Sequence, residues 1–461
     1  MKTIIDRGAA LADGLAVLRQ THAVPAAFPA EVLAAAERAV KRTPTAHADR
    51  TALPFVTLDP ATSTDLDQAF SIEARGADLL LHYAIADIGW FVDDGDPIDA
   101  EAWRRGETLY LPDGKAGLYP PILAEAAASL LPTGPRPAVI FTVAIAPDGG
   151  VQLEGAERAI IHSRAKLAYD SVRDSDLPPG FNEVARRIQD AEIRRGGARV
   201  DPPQQEVERV GEGRFRLSFR PRLPSEERNA ALSLATNLAI ADALQAHDTG
   251  LFRVMARPDM RAVARLRLTA KALDLDWADA VPLEDFERGL DGHDPRQAAF
   301  MLAVRRAGAG ASYAPWRAGI TPWHAAMAAT YAHGTAPLRR LADRYVVRAA
   351  LAVANGEAVP AAVSAAFEAL PQIMARADAL AGRIDRAVID LAEAAILAGR
   401  EGEAFCAIVT DLNEQVARMQ LCDLPVVSRV EARDANPGDR LQVRLMSTDI
   451  ETGKLAFERI V

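Results

Sequence analysis

The stretch "TLDPATSTDLDQAF", residues 57–70, carries three aspartates, Asp59, Asp65 and Asp67, within nine positions, and an amide, Gln68, directly follows the last. Asp59 ends the apolar run "FVTL", and Pro60 prevents that run from continuing as a central strand. Asp65 and Asp67 are two apart, so in extended chain their side chains share a face. Carboxylates this close raise one another's pKa values unless a cation neutralises them. A hard divalent ion, Mg²⁺ or Mn²⁺, prefers such oxygen ligands and bridges to phosphate, so phosphoryl chemistry is one reading. An acidic loop with turn and capping roles is the other, and spacing alone leaves both open.

A second group lies in "YAHGTAPLRRLADRYVVRAAL", residues 331–351. Pro337 is placed for the first turn of a helix, with Thr335 as its N-cap. Arg340, Arg344 and Arg348 recur every four residues and would form one basic ridge. Arg339 and His333 sit near the helix start, where backbone N–H groups also favour an anion. Arginine forks suit phosphate oxygens. For Arg344 and Arg348 a solvated helix face with pairs to Asp343 is the competing account. Carboxylates that gather a cation and arginines that hold a phosphate are two halves of a phosphodiester-cleaving centre.

The elements around these groups read as α+β in several domains. A chain of 461 residues exceeds one compact core. Residues 1–50 show helical spacing in "AALADGLAVLRQ" and "PAEVLAAAERAVKR", a small helical module that is either a helix-turn-helix or a packing element. Residues 51–400 form the central block. It has strands in "LPFVTLD", "QAFSIEA" and "DLLLHYAIADIGWFV", a hairpin about "PDGG", and helices over 225–248, 268–277, 293–308, 323–354 and 360–400. Residues 401–461 hold five short alternating segments, which suggests a small barrel of the oligonucleotide-binding (OB) kind.

Composition limits the rest. The formal charge of −10 excludes a chain basic all over, but nucleic-acid binding needs only a local basic channel. The two cysteines, Cys406 and Cys422, lack metal-ligand spacing and indicate neither a disulfide framework nor a zinc site, which suits a reducing cytoplasm. No signal peptide, membrane-spanning run or NTPase phosphate loop is visible, so the expectation is a soluble cytoplasmic monomer with no obligate protein partner.

At the two groups above the sequence resembles the ribonuclease II family, also called the RNB family, of processive 3′-to-5′ exoribonucleases. The resemblance runs from about Arg50 to the end. "FVTLDPATSTDLDQAF" is similar to the acidic signature, "RRGETLYLP" to the segment before the substrate cavity, "SRAKLAYDSV" to a strand-to-helix stretch, and "YAHGTAPLRRLADRYVVR" to the segment near the catalytic centre. The resemblance implies hydrolysis of single-stranded RNA from its 3′ end to nucleoside 5′-monophosphates, with Mg²⁺ at the acidic cluster. Asp59, Asp65, Asp67 and Gln68 would surround the metal, with Asp67 the most sensitive to substitution. Arg339 would hold the scissile phosphate with Arg340 beside it, Tyr110 would stack on a terminal base, and His333 and Thr335 would position the substrate. Asn237, in "LATN", falls on a family helix that contacts RNA.

The chain also departs from the family. Gln68 stands where a fourth aspartate is usual. Ala230 and Ala231 replace a glutamate pair that contacts ribose, with Glu226 and Glu227 a helical turn earlier, and Asp385 replaces a glutamate. The usual pair of N-terminal cold-shock modules has no room before residue 50. These departures keep two alternatives open: an RNA-binding protein with a decayed nuclease site, and a metal-dependent phosphodiesterase for short oligonucleotides.

Overall fold

The computed structural model describes residues 2–5, 10–197, 204–211, 214–220, 222–292, 294–308, 310–413 and 416–460. Its centre is a seven-stranded sheet. The strands run, in spatial order, Ala165–Ala168, Val56–Asp59, Gln68–Arg75, Asp78–Ala86, Arg136–Ile145, Val151–Ile161 and Ala48–Asp49. Both end pairs are parallel and the inner pairs antiparallel. The "PDGG" hairpin forms as expected. Gly149 there adopts φ +74°, and a Cβ would run into the Arg187 carbonyl, so glycine is needed on both counts. The segment "DLLLHYAIADIGWFV" is a strand only to Ala86; a helical turn, Ile88–Phe91, follows.

Helices Pro224–Ala246 and Leu341–Ala354 pack on the Val151–Ile161 strand and on each other. They close the largest core, which also takes Val32, Ala35, Ala36 and Ala39 from helix Ala30–Ala39. Helix Ala10–Thr21 belongs elsewhere: Leu11, Leu15 and Leu18 join a second core with the C-terminal barrel. The expected helical module therefore has no core of its own, and it opens with a strand, Lys2–Ile5, paired antiparallel with Arg214–Arg220. The 37-residue helix Ala361–Leu397 spans both cores, with Phe367, Leu370 and Met374 in the first and Val388, Leu391 and Leu397 in the second. Gly14 lets the N-terminal helix approach it, because a Cβ would lie 2.6 Å from a Leu391 methyl.

Helix boundaries shift from the sequence expectations in two places. The helix expected over 268–277 runs Met260–Ala272, in a small core with Trp277 and Phe300, and Asp274 turns with φ +57° beyond its end. The helix expected over 323–354 begins only at Leu341. Residues 331–340 are an irregular loop, so Thr335 is not an N-cap and Pro337 does not open the helix. The basic ridge is absent as well. Arg344 is buried against Asp99 and the Tyr345 hydroxyl, and Arg348 pairs with Asp94 at 2.5 Å.

The C-terminal segments form the expected five-stranded closed barrel. Its first hairpin sets Ala407 opposite Leu421, which brings Cys406 and Cys422 together as a disulfide. That corrects the sequence expectation: a separation of 16 residues says nothing until the strand register is known. Among the described residues no helix is long and apolar enough to cross a membrane.

Candidate active site

Asp59 is the last residue of its strand, and the parallel neighbour Ala165–Ala168 delivers Tyr169 beside it: the Tyr169 N–H donates to the Asp59 carbonyl at 3.2 Å. The loop between Asp59 and Asp65 is tied from two sides. Lys166 Nζ donates to the Ala61 and Ser63 carbonyls at 2.7 and 2.6 Å. Ser129 Oγ donates to the Thr64 carbonyl at 2.7 Å and accepts from the Leu66 N–H at 2.9 Å. Asp65 and Asp67 are thus held by a rigid loop, as a preorganised centre requires.

Asp67 is 5% exposed, and it is where the two sequence groups meet. Its Oδ1 accepts from the Leu338 N–H at 2.7 Å, and its Oδ2 lies 3.4 Å from Arg339 Nε. The Arg339 side chain is 46% exposed and so remains available at the mouth of the site. Burial pushes the Asp67 carboxyl up to about 7 against the pull of Arg339 and Leu338; burial likewise pushes Asp59 up to about 6 against Arg339 and Lys166. Asp65 adds repulsion to both. Gln68 opens the next strand, and its Oε1 accepts the hydroxyl of the fully buried Tyr83.

The loop carrying Arg339 is fixed by backbone contacts and by buried amides. The Asn237 side-chain oxygen accepts from the Gly334 N–H at 2.9 Å, while its amide nitrogen donates to Thr335 Oγ1 at 3.2 Å. Thr335 Oγ1 also bonds Ser233 at 2.9 Å. Asp343 Oδ1 accepts from the Ala336 N–H and pairs with Arg340, both at 2.8 Å. The Thr108 N–H donates to the Arg339 carbonyl at 2.9 Å, tying this loop to the one that bears Tyr110. Asn237 and Thr335 are therefore loop anchors, 1% and 2% exposed. His333 bonds Tyr313 through Nδ1 at 2.8 Å; burial, followed by the charges of Arg340, Arg253 and Arg339, drives its pKa well below the ordinary value and keeps it neutral.

Tyr110 projects from the two-stranded hairpin Leu109–Leu111 and Gly114–Ala116. It is 51% exposed, and its hydroxyl donates to Asp65 Oδ2 at 3.1 Å, so a flat aromatic lies at the edge of the acidic loop. The ribose-side departures remain departures: Ala231 is buried, and Glu226 caps its helix through the Leu223 N–H at 2.7 Å and pairs with Arg220 at 2.7 Å. Asp385 lies on the long helix, its pKa raised by burial. Sequence reading did not single out Tyr169, Lys166 or Lys115. The signal for Tyr169 and Lys166 lay within the quoted "SRAKLAYDSV", but the parallel strand pairing was needed to place them.

The donor set, three carboxylates of which Asp67 is buried and Asp59 half-buried with both pKa values raised, fits a hard divalent cation in ligand type and in unmet charge. It is not a closed cage: among the described residues no three His, Cys, Asp or Glu side chains are grouped to hold an ion.

An acidic loop pinned through its backbone, an arginine at its mouth and an exposed ring at its edge thus bring together groups suited to a cation and a phosphate. The chain belongs to the RNB family: residues 48–355 match the RNB domain, and residues 403–460 match the RNase II-type exonuclease C-terminal S1 domain. It is similar to Ribonuclease R of Aquifex aeolicus strain VF5, 25% identical over 503 residues that cover 96% of this chain and 68% of the relative. It is also similar to Ribonuclease R of Escherichia coli K12, 26% identical over 362 residues, or 72% of this chain and 43% of that one. Its fold matches Mycoplasma genitalium RNase R in complex with ribose methylated single-stranded RNA, with a TM-score of 0.85 at 19% identity, covering 98% of this chain and 78% of that one. The chain thus spans about two thirds or less of the length of these two curated relatives.

Proposed function

We propose that this chain is a hydrolytic exoribonuclease that shortens single-stranded RNA from the 3′ end and releases nucleoside 5′-monophosphates, with Mg²⁺ as its ion and Mn²⁺ as a substitute. The observation that carries this reading is the contact of Asp67 with both Leu338 and Arg339, which unites the carboxylates and the phosphate-binding arginine in one centre. Asp59, Asp65 and Asp67 would hold the divalent ion, which when bound supplies an activated water and takes up charge developing on the phosphate. Gln68 stands next to them with its oxygen already engaged by Tyr83.

The protein's own groups do the rest. Tyr110 offers a face on which a terminal base of any type can stack. Arg339 neutralises the phosphoryl oxygens as charge accumulates there, a contact worth most where water is excluded. Arg340 pairs with Asp343 and so steadies the loop next to Arg339. Neutral His333, Thr335 and Asn237 are positioning residues for that loop, not acids or bases.

Labelled single-stranded RNA, incubated with Mg²⁺ and separately with chelator, tests the reading. Metal-dependent release of mononucleotides is the expected result. Binding without shortening would reverse it in favour of an RNA-binding protein, the reading that the engagement of Gln68 by Tyr83 favours. Cleavage restricted to short oligonucleotides would instead identify a phosphodiesterase.

A further inference from the structure

The disulfide Cys406–Cys422 closes the first hairpin of the C-terminal barrel at the point where the chain leaves it. Cys406 is half-buried and Cys422 exposed, so solvent reaches the bond from one side. Beyond Cys422 the chain makes a tight turn before strand Val427–Glu431 begins. The Cys422 N–H donates to the Cys406 carbonyl and the Leu421 N–H to the Val426 carbonyl, both at 2.9 Å. Leu424 and Val426 of this turn pack into the second core.

The turn also joins the barrel to the rest of the protein through buried polar groups. The Val427 N–H donates to Glu393 Oε1 at 2.7 Å. Gln205 Nε2 donates to the same oxygen at 2.5 Å and to the Pro425 carbonyl at 2.9 Å. Glu393 lies on the long helix and is 2% exposed, and Gln205 lies on a strand of the three-stranded sheet that holds residues 2–5. Barrel, long helix and sheet thus share one clasp, next to the sulfur–sulfur bond in the chain. Opening the turn strands the Glu393 oxygen, which has no water to replace its donors, so the clasp holds only while the turn keeps its shape.

We propose that Cys406 and Cys422 form a reversible dithiol–disulfide site whose redox state sets how firmly the barrel is clasped to the long helix, and through that how tightly the chain holds single-stranded RNA. The oxidant is a small-molecule disulfide. The exposed Cys422, as thiolate, attacks one sulfur of that disulfide and releases one small thiol. The Cys406 thiolate then attacks the Cys422 sulfur, which closes the protein bond and releases the second small thiol. Two electrons pass from the protein to the small disulfide, and the two protein thiol protons end on the two released thiols. In the reduced chain, hydrogen bonds and packing alone hold the hairpin and its turn, so the turn opens more often.

The full chain equilibrated with mixtures of reduced and oxidised glutathione tests this. Free thiols are counted with a maleimide, hydrogen exchange is followed at the Val427 amide, and RNA affinity is measured in chelator. Two thiols per chain should appear together as the mixture becomes reducing, and exchange at Val427 should then quicken by about 10–100-fold. Affinity for single-stranded RNA should fall by about 10-fold, because an unclasped barrel adds its contacts at a lower effective concentration. The double variant Cys406→Ser with Cys422→Ser should show the reduced behaviour in every mixture; reduced wild type, which carries no substitution, guards against misfolding of that variant. A disulfide that no mixture reduces, thiols that no mixture oxidises, or reduction that leaves Val427 exchange or RNA affinity unchanged would each overturn the proposal. Only the affinity arm rests on the RNA reading above: a chain that binds no RNA in either state would remove that reading, while the thiol count and the exchange rates still decide the site.

Discussion

Replacing Asp67 by asparagine should move activity and stability in opposite directions. The asparagine oxygen can still accept from the Leu338 N–H, which Asp67 Oδ1 now does at 2.7 Å, but the charge facing Arg339 is gone. Loss of that charge at the centre should lower the rate of mononucleotide release by about 10²–10³-fold or more. Stability follows from burial, which pushes the Asp67 carboxyl up to about 7. The unfolded chain keeps it near about 4, so between those values the folded state binds more protons and stability falls as pH rises through the window. Full ionisation in the buried site would cost at most about 4 kcal/mol. Water entry and local relaxation reduce that to about 1–2 kcal/mol. Urea unfolding in chelator should therefore show Asp67→Asn more stable than wild type by this amount at pH 8, with the difference gone near pH 4. Retained turnover, or a variant less stable than wild type at pH 8, would refute the reasoning.

Three other substitutions separate the scaffold from the chemistry. Arg344→Met leaves Asp99 buried without its guanidinium and should cost about 3–5 kcal/mol in urea unfolding, marking Arg344 as structural rather than RNA-binding. Thr335→Val removes one partner each from Asn237 and Ser233, which keep a bond to one another, and should lower stability by about 1 kcal/mol. Its kcat should fall with KM little changed, because only the Arg339 loop is loosened. Arg19→Ala breaks a partly exposed pair with Asp113 at the tip of the Tyr110 hairpin, so the unfolding free energy should change by less than about 0.5 kcal/mol. Its kcat/KM should nevertheless fall, because the hairpin that bears Tyr110 and Lys115 loses its pin; unchanged kinetics would count against that link.

The sequence made legible what depends on local pattern. Five alternating segments gave the barrel, and "PDGG" between apolar runs gave the hairpin. The pairing of an acidic with an arginine-bearing segment was also visible, since each is continuous in the chain. What stayed hidden depends on partners far away. The periodicity of Arg340, Arg344 and Arg348 suggested a solvent ridge, yet Asp99 and Asp94, some 250 residues earlier, draw two of them into ion pairs. The start of that helix was placed too early because Thr335 carries a usable cap, but its hydroxyl bonds Asn237 and Ser233 instead. Lys115 reads as an ordinary turn lysine until the register sets it across from Tyr110.

The strand Lys2–Ile5 has a consequence for how the molecule is made. Its partner, Arg214–Arg220, lies more than two hundred residues downstream. At a synthesis rate of about 5–20 residues per second, the leading strand must wait about 10–40 seconds before its partner has emerged. During that interval residues 2–5 have no strand to pair with, so the three-stranded sheet they complete closes only after Arg220 has been made.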